Sequence, residues 1–256
     1  RPMLAALDDA APVMIERTIA WSKVNSGSLE IAGLDRMAGL IADACAVLPG
    51  EVTRVTLAPS ERVRADGVVE PRAHTDAIRV RVRPEAPVQV ALTGHYDTVF
   101  AASHPFQTPE HVDADILRGP GVADMKGGII VMLEALKALE ATSDAKNLGY
   151  EVLLSPDEEI GSPASAPLLA ALGARAHVGM TYEPALPDGS LAGARKGSGN
   201  YSLIIAGKAA HVGRAFDAGR SAVVAAGDAL MRRDALNGER EGVTINIGAV
   251  DGGSPG

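Results

Sequence analysis

The segment from Val88 to Val99 decides the fold, and it reads Val-Gln-Val-Ala-Leu-Thr-Gly-His-Tyr-Asp-Thr-Val. Its first five residues are mostly apolar, which is typical of an inner strand of a sheet. Two polar side chains, His95 and Asp97, follow where this strand is expected to end. Because α/β proteins place their sites at the carboxyl ends of strands, this junction is a candidate functional site.

Strands and helices alternate on both sides of this segment. Periodicity predicts a helix that starts near Pro12 and further helices over 33–49, 126–141 and 163–172. Strands are predicted over 78–82, 150–154 and 178–182. The alternation predicts the α/β class, with a sheet flanked by helices.

The pattern restarts after the turn Pro187-Asp188-Gly189. Strands are predicted over 201–205 and 243–247, with an Ala-rich helix over 221–232 between them. A unit of about 60 residues is marginal as a domain of its own. We therefore expect two domains, 1–192 and 193–256, of which the second is an incomplete α+β domain.

The composition excludes several classes of partner. The chain has 24 Lys+Arg against 32 Asp+Glu, a net charge of −8, and no dense basic tract, which argues against nucleic acid and anionic membranes. No apolar run approaches the ~18 residues of a membrane span, and the signal-peptide pattern is absent. The lone Cys45 fits a reducing compartment. These features indicate a small-molecule or peptide partner and the cytoplasm, with the periplasm as the alternative if a leader preceded Arg1.

A glycine-dense turn over 119–128 leads into the predicted helix. It is not a Walker loop, because Met125 precedes Lys126 where that motif requires glycine. It is not a dinucleotide fingerprint either, because Asp124 occupies the place of the third glycine. Two interpretations remain open: Asp124 caps the helix, or the glycines let the backbone approach a metal that Asp124 binds.

Two further strand ends carry acidic residues. Asp157-Glu158-Glu159 follows one strand and Glu183 follows the next. The simplest interpretation is that these acids are solvated. If the chain there is extended, however, neighbouring glutamates point to opposite sides, so one can bind a metal while the other acts as a general base. Since four successive junctions each carry a His, Asp or Glu, the ligand types that suit zinc, we favour a metal site.

The motifs resemble those of di-zinc peptidases and deacylases, the family of glutamate carboxypeptidase, acetylornithine deacetylase, succinyl-diaminopimelate desuccinylase and aminoacylase. The matching segments, in order, are His95-Tyr96-Asp97-Thr98-Val99, 121–128, 157–162, Glu183-Pro184, Arg195-Lys196-Gly197 and 207–213. The last two are most similar to the glutamate carboxypeptidase branch. The resemblance implies a zinc-peptidase-like sheet with an inserted lid (dimerisation) domain, which is only partly present here.

The resemblance also implies a ligand set for two Zn²⁺ ions, with Co²⁺ or Mn²⁺ as substitutes. His95 and Glu183 would bind one zinc, Glu159 would bind the second, and Asp124 would bridge both. A cis peptide bond is expected after the bridging residue, between Asp124 and Met125.

The implied catalytic residues are Glu158, Asp97 and His211. Glu158 would be the general base that takes a proton from the attacking water, and Asp97 would orient His95. In the family a lid histidine reaches the active site of the partner subunit and stabilises the oxyanion. His211 would therefore act across a homodimer formed by the lid domain.

The implied activity is hydrolysis of an amide bond beside a free carboxylate in a small peptide. An N-acyl-amino-acid deacylase of the acetylornithine or succinyl-diaminopimelate type is the alternative. The resemblance also implies a second-zinc histidine near the end of the catalytic domain, and this sequence ends inside the expected lid. We therefore expect a fragment of a longer enzyme, with a catalytically inactive metal-binding protein as the other hypothesis.

Overall fold

The computed structural model describes residues 2–194 and 196–253, so Arg195 of the Arg195-Lys196-Gly197 motif lies outside the described residues. The chain divides into two compact units. The first consists of Arg1–Ser60 and Ala73–Ala192, and the second consists of Glu61–Arg72 and Gly193–Gly256.

The first unit contains four α-helices and most of the strands. Its helices are α1 (Pro2–Ser22), α2 (Ile31–Cys45), α3 (Gly127–Glu140) and α4 (Ala166–Gly173). The strands found in the described residues are β1 (Glu51–Val55), β2 (Ser60–Val63), β3 (Val69–Arg72), β4 (Ala77–Val82), β5 (Val88–His95), β6 (Glu110–His111), β7 (Leu117–Arg118), β8 (Leu148–Ser155) and β9 (Val178–Thr181). The predicted α/β class, a central sheet flanked by helices, is confirmed.

Five strands form the central sheet in the order β1-β4-β8-β5-β9. The β1–β4 and β4–β8 pairs are antiparallel, whereas β8–β5 and β5–β9 are parallel. The register places His95 opposite Ser155 and Thr93 opposite Thr181. The carboxyl ends of β5, β8 and β9 therefore lie side by side at one edge of the sheet.

Helices cover the sheet on both faces. The larger core joins apolar side chains of α1, α2 and α3 to inward-facing residues of the sheet; its members include Ile41, Ile129, Val80 and Leu154. A smaller core brings Leu172 of α4 against Leu153 and Ala91. Since β8 lies in the middle of the sheet and is covered on both sides, seven of its eight residues are buried.

Two helix boundaries differ from the sequence-based expectation. The first helix does not start near Pro12 but begins at Pro2, and Pro12 lies inside it. Proline removes one backbone hydrogen bond. Packing of α1 on α3 offsets that loss. The helix predicted over 33–49 ends at Cys45, although the apolar spacing continues to the buried Leu48.

The prediction of two strands in the second unit is wrong. Its helix α5 (Ala222–Asp234) forms as predicted, and Ser221 Oγ caps it by accepting a 3.1 Å hydrogen bond from the Val224 amide. Neither 201–205 nor 243–247 pairs into a strand in the part of this unit that the structure describes. Alternation gives the side-chain pattern of a strand, but a strand also needs a neighbour for its backbone. Tyr201 is 96% exposed, so no core covers that face.

Among the described residues, no helix combines the length and apolarity that crossing a membrane requires.

Candidate metal centre

The sheet edge at the ends of β5, β8 and β9 collects the predicted ligands. His95 is the last residue of β5. Glu158 and Glu159 follow β8, and Glu183 follows β9. Because these three strands are parallel neighbours, their carboxyl ends deliver the side chains to the same place. Asp124 reaches the same edge from the turn that precedes α3.

The side chains converge on the Nε2 atom of His95. This atom lies 2.9 Å from Asp124 Oδ1, 3.7 Å from Glu183 Oε1 and 3.8 Å from Glu158 Oε2. One ligand atom each of His95, Asp124 and Glu159 can be chosen so that all three lie within 4.8 Å of one another. The structure thus brings together all five of these predicted residues.

The other ring nitrogen of His95 faces Asp97. Nδ1 lies 3.1 Å from the carbonyl oxygen of Asp97 and 3.3 Å from its Oδ1. Both atoms are acceptors, so Nδ1 is the donor. His95 is 1% exposed and Asp97 is completely buried. This arrangement fixes the ring orientation and turns Nε2 toward the carboxylates.

Asp97 also binds the segment that carries the two glutamates. Its Oδ1 accepts a 3.1 Å hydrogen bond from the Glu158 amide, and its Oδ2 accepts a 3.1 Å bond from the Glu159 amide. A third donor, Ser28 Oγ, lies 2.7 Å from Oδ2. The sequence does not indicate this role of Ser28, because Asn25-Ser26-Gly27-Ser28 carries no chemical motif.

Glu158 and Glu159 are not on an extended chain, which corrects the expectation that they point to opposite sides. They begin a 3₁₀ turn, Glu158–Ile160, in which successive side chains are about 120° apart. Both side chains nevertheless reach His95: Glu158 Oε2 lies 3.8 Å from Nε2, and a carboxylate oxygen of Glu159 lies within 4.8 Å of a ring nitrogen. Asp157, which the simplest interpretation treated as solvated, is completely buried. Its Oδ2 accepts hydrogen bonds from the amides of Ala164 (2.8 Å) and Ser165 (3.1 Å) and so anchors the turn.

Asp124 lies in a tight turn, Val122–Lys126, that contains a cis peptide bond between Asp124 and Met125, as the resemblance implies. Lys126, not Asp124, is the N-cap of α3, so the helix-cap interpretation of Asp124 is wrong. Lys126 is completely buried, and burial lowers its pKa to about 8. Its Nζ donates to the carbonyl oxygens of Val24 (2.8 Å) and Trp21 (3.2 Å) and ties the turn to the end of α1.

The charges of the cluster fit a divalent cation. Burial, together with the nearby Asp124 carboxylate, raises the pKa of Glu159 to about 7. Burial also raises the pKa of Glu183, and the Asp124 and Glu158 carboxylates add to this effect. Burial lowers the pKa of His95, but hydrogen bonds to Asp124 and Asp97 outweigh it and raise that pKa to about 11. The raised carboxyl pKa values reflect negative charges held close together, which a cation would stabilise. Carboxylates and an imidazole are ligand types that bind zinc.

A cavity of about 250 Å³ adjoins the cluster. Its lining includes the acidic Asp124 and Glu159 and the apolar Val99, Phe100 and Phe106. No sequence pattern identifies the two phenylalanines as site residues, because they lie in a loop without periodicity.

His211, the remaining predicted catalytic residue, belongs to the second unit. It is exposed, and its Nδ1 accepts a 3.1 Å hydrogen bond from the Gly213 amide. Its predicted role across a dimer stays a prediction.

Comparison with known proteins identifies the family. The family model described as Peptidase family M20/M25/M40 matches residues 91–248, which include all the residues of the cluster. Carboxypeptidase G2 of Pseudomonas sp. (strain RS-16) is 30% identical over 172 residues, which are 67% of this chain and 41% of that protein. The chain thus spans about two fifths of the length of this relative.

Two solved structures share the fold. A tripeptidase from Staphylococcus aureus has a TM-score of 0.59 and 19% identity, covering 94% of this chain and 61% of its own. Human carnosine dipeptidase 1 has a TM-score of 0.58 and 18% identity, covering 72% of this chain and 41% of its own. The family match covers more than half of the chain and confirms the resemblance seen in its motifs. The chain belongs to peptidase family M20/M25/M40.

Proposed function

We propose that the full-length protein is a zinc-dependent exopeptidase that cleaves an amide bond beside a free carboxylate, as a glutamate carboxypeptidase does. The observation that carries this proposal is the convergence of His95, Asp124 and Glu159 within 4.8 Å at the sheet edge. The similarity to carboxypeptidase G2 supports the choice of a carboxypeptidase.

In this proposal the cluster holds two zinc ions, for which Co²⁺ or Mn²⁺ can substitute. His95 and Glu183 would hold one ion, Glu159 would hold the other, and Asp124 would contribute to both. When bound, the metal supplies Lewis-acid polarisation of the scissile carbonyl and lowers the pKa of the attacking water.

Glu158 is the general base in this proposal. Its side chain is 49% exposed and ends 3.8 Å from His95 Nε2, so it lies beside the cluster and remains open to solvent. A carboxylate in this position can accept a proton from the attacking water and deliver it to the leaving nitrogen. The hydrogen bond from the Glu158 amide to Asp97 holds the base of this side chain in place.

We further propose that the protein acts as a homodimer, with His211 of one subunit stabilising the oxyanion in the other. Its exposed position leaves the imidazole accessible. Mixing two inactive variants, Glu158→Gln and His211→Ala, tests this directly. A mixed dimer has one site in which both groups are intact, so activity should return on subunit exchange. Two inactive variants that never complement would contradict action across a dimer.

The activity is tested by assaying the full-length protein on acetyl-Phe-Glu, with and without a chelator. We expect release of glutamate that the chelator abolishes and zinc restores. Release of acetate from N-acetylornithine, or of succinate from N-succinyl-diaminopimelate, with peptides left intact would identify the deacylase alternative. Absence of chelator-sensitive hydrolysis of any of these compounds would favour the inactive metal-binding protein.

A further inference from the structure

The cavity beside the metal cluster has two residues in common with it. Asp124 and Glu159 belong to both, so a group that enters the cavity lies next to the atoms that would hold the metal. Under the proposed function, on which this inference rests, the cavity is therefore next to the scissile bond.

The lining of the cavity also contains an aromatic wall, formed by Phe100 and Phe106. The rings of Phe100 and Phe106 pack edge to face with their centroids 5.0 Å apart, and Val99 continues the apolar surface. The chain has only three phenylalanines, and two of them line this one cavity. Such a wall favours an uncharged apolar ligand group.

Charge decides which part of a substrate can occupy the cavity. None of the described residues that line it carries a positive charge, whereas Asp124 and Glu159 are acidic. Asp124 and Glu159 would hold the metal, so a carboxylate in the cavity would find no cationic side chain to pair with among the lining residues. The leaving group, which carries the carboxylate, is therefore excluded from the cavity. The part of the substrate that can occupy it is the acyl side of the scissile amide.

The aromatic wall is held in place by hydrogen bonds. Asn25 Nδ2 donates to the carbonyl oxygen of Phe100 at 3.0 Å and to Gln107 Oε1 at 2.8 Å. Gln107 Nε2 in turn donates to the carbonyl oxygens of Ala101 (2.9 Å) and His104 (2.7 Å). Because the loop is braced at both ends, the cavity is formed without a ligand, which reduces the entropy that binding must overcome.

We propose that this cavity is a specificity subsite for one apolar side chain, that of the residue whose carbonyl is attacked. Its volume of about 250 Å³ lies below the roughly 300–1,000 Å³ of sites for drug-sized ligands. It therefore suits a single phenylalanine- or leucine-sized group.

The experiment compares acetyl-Phe-Glu with acetyl-Gly-Glu, which have the same leaving group, using the full-length zinc-loaded protein. We expect kcat/KM to be at least about tenfold higher for the phenylalanine substrate, because its ring is buried in the cavity. Phe106→Ala should lower this preference, measured as the ratio of the two kcat/KM values, by about tenfold.

Val99→Asp is a second variant that needs no change in the core, since Val99 is 64% exposed. It places a charge in the cavity and should also reduce the preference by about tenfold. Val112→Asp is the matched control, because Val112 is 56% exposed and does not line the cavity, and it should retain the wild-type ratio.

Hydrolysis of both substrates with similar kcat/KM, or an unchanged ratio in both cavity variants, would overturn the subsite and leave the proposed function standing. Absence of hydrolysis of either substrate by the zinc-loaded wild type would overturn the proposed function, and the subsite with it.

Discussion

Ser28 Oγ donates a 2.7 Å hydrogen bond to Asp97 Oδ2, which joins the segment after α1 to the carboxylate beneath the candidate metal centre. Asp97 contacts His95 through one oxygen and the glutamate-bearing turn through both. Ser28 thus supports the residue that connects the ends of β5 and β8, although it lies 69 positions away in the sequence.

Replacing Ser28 with alanine should weaken zinc binding. Loss of a hydrogen bond to a buried carboxylate costs about 1.5–3 kcal/mol, and changes behind metal ligands commonly lower affinity about 10–100-fold. We expect at least about a tenfold loss in zinc affinity for Ser28→Ala, and recovery in Ser28→Thr, measured by competition with a fluorescent chelator.

Ser26→Ala is the matched control for this prediction. Ser26 is completely buried two residues away, and its Oγ has no hydrogen-bond partner among the described residues. Its removal should leave zinc affinity unchanged. Equal zinc affinities in the two alanine variants would show that Ser28 does not support the site.

Glu158→Gln and Glu159→Gln should separate the two neighbouring glutamates. If Glu158 is the base, its loss should lower kcat by about 10²–10⁴-fold while zinc content stays at the wild-type level. If Glu159 is a ligand, its loss should reduce the zinc content itself. Metal analysis alongside kcat distinguishes them, and loss of zinc from Glu158→Gln would reverse the assignment.

Zinc binding should release protons. Against the effect of burial, hydrogen bonds to Asp124 and Asp97 raise the pKa of His95 to about 11, and burial raises the pKa of Glu159 to about 7, so a metal that binds both must displace protons. Lower pH favours the protonated forms, so zinc affinity should rise with pH and fall most steeply below about pH 7. Calorimetric zinc titrations in buffers of different ionisation enthalpy measure the number of protons released on binding. An affinity that stays constant from pH 6 to 8 would contradict this picture.

Gly128→Ala should destabilise the first unit. A Cβ atom on Gly128 would lie 2.1 Å from the carbonyl oxygen of Tyr182, the residue before Glu183. Relieving that clash means moving α3 away from the end of β9, at a cost of about 1–3 kcal/mol. Gly39→Ala in α2 meets nothing within 4 Å and should stabilise the helix by about 0.5–1 kcal/mol. Urea unfolding gives the free energy of unfolding of each variant. Changes of the same sign in both variants would contradict a specific clash at Gly128.

The fold and most of the site could be predicted because their signals are local. The apolar run before His95 identifies a buried strand, and the acids after the next strands fall at positions where parallel strands bring them together. Each of these residues lies at most a few positions beyond a recognisable strand. The order of the parallel strands in the sheet then brings these residues together at one edge.

The missed features depend on contacts between distant segments. Ser28 has a polar side chain in an ordinary loop, and only the folded chain shows that it binds Asp97. The burial of Asp157 follows from the way its carboxylate meets the amides before α4, which the acidic triplet does not reveal. The alternation over 201–205 indicated a strand, but pairing depends on a neighbour that periodicity cannot supply.

The most direct test of a metal-dependent hydrolase centred on His95, Asp124 and Glu159 is a zinc titration of the chelator-treated full-length protein, with hydrolysis of acetyl-Phe-Glu as the readout. We expect no activity without metal, a saturable rise as zinc is added, and no rise for His95→Ala at any zinc concentration tested. Hydrolysis that persists after complete removal of the metal, or that His95→Ala retains, would contradict this expectation.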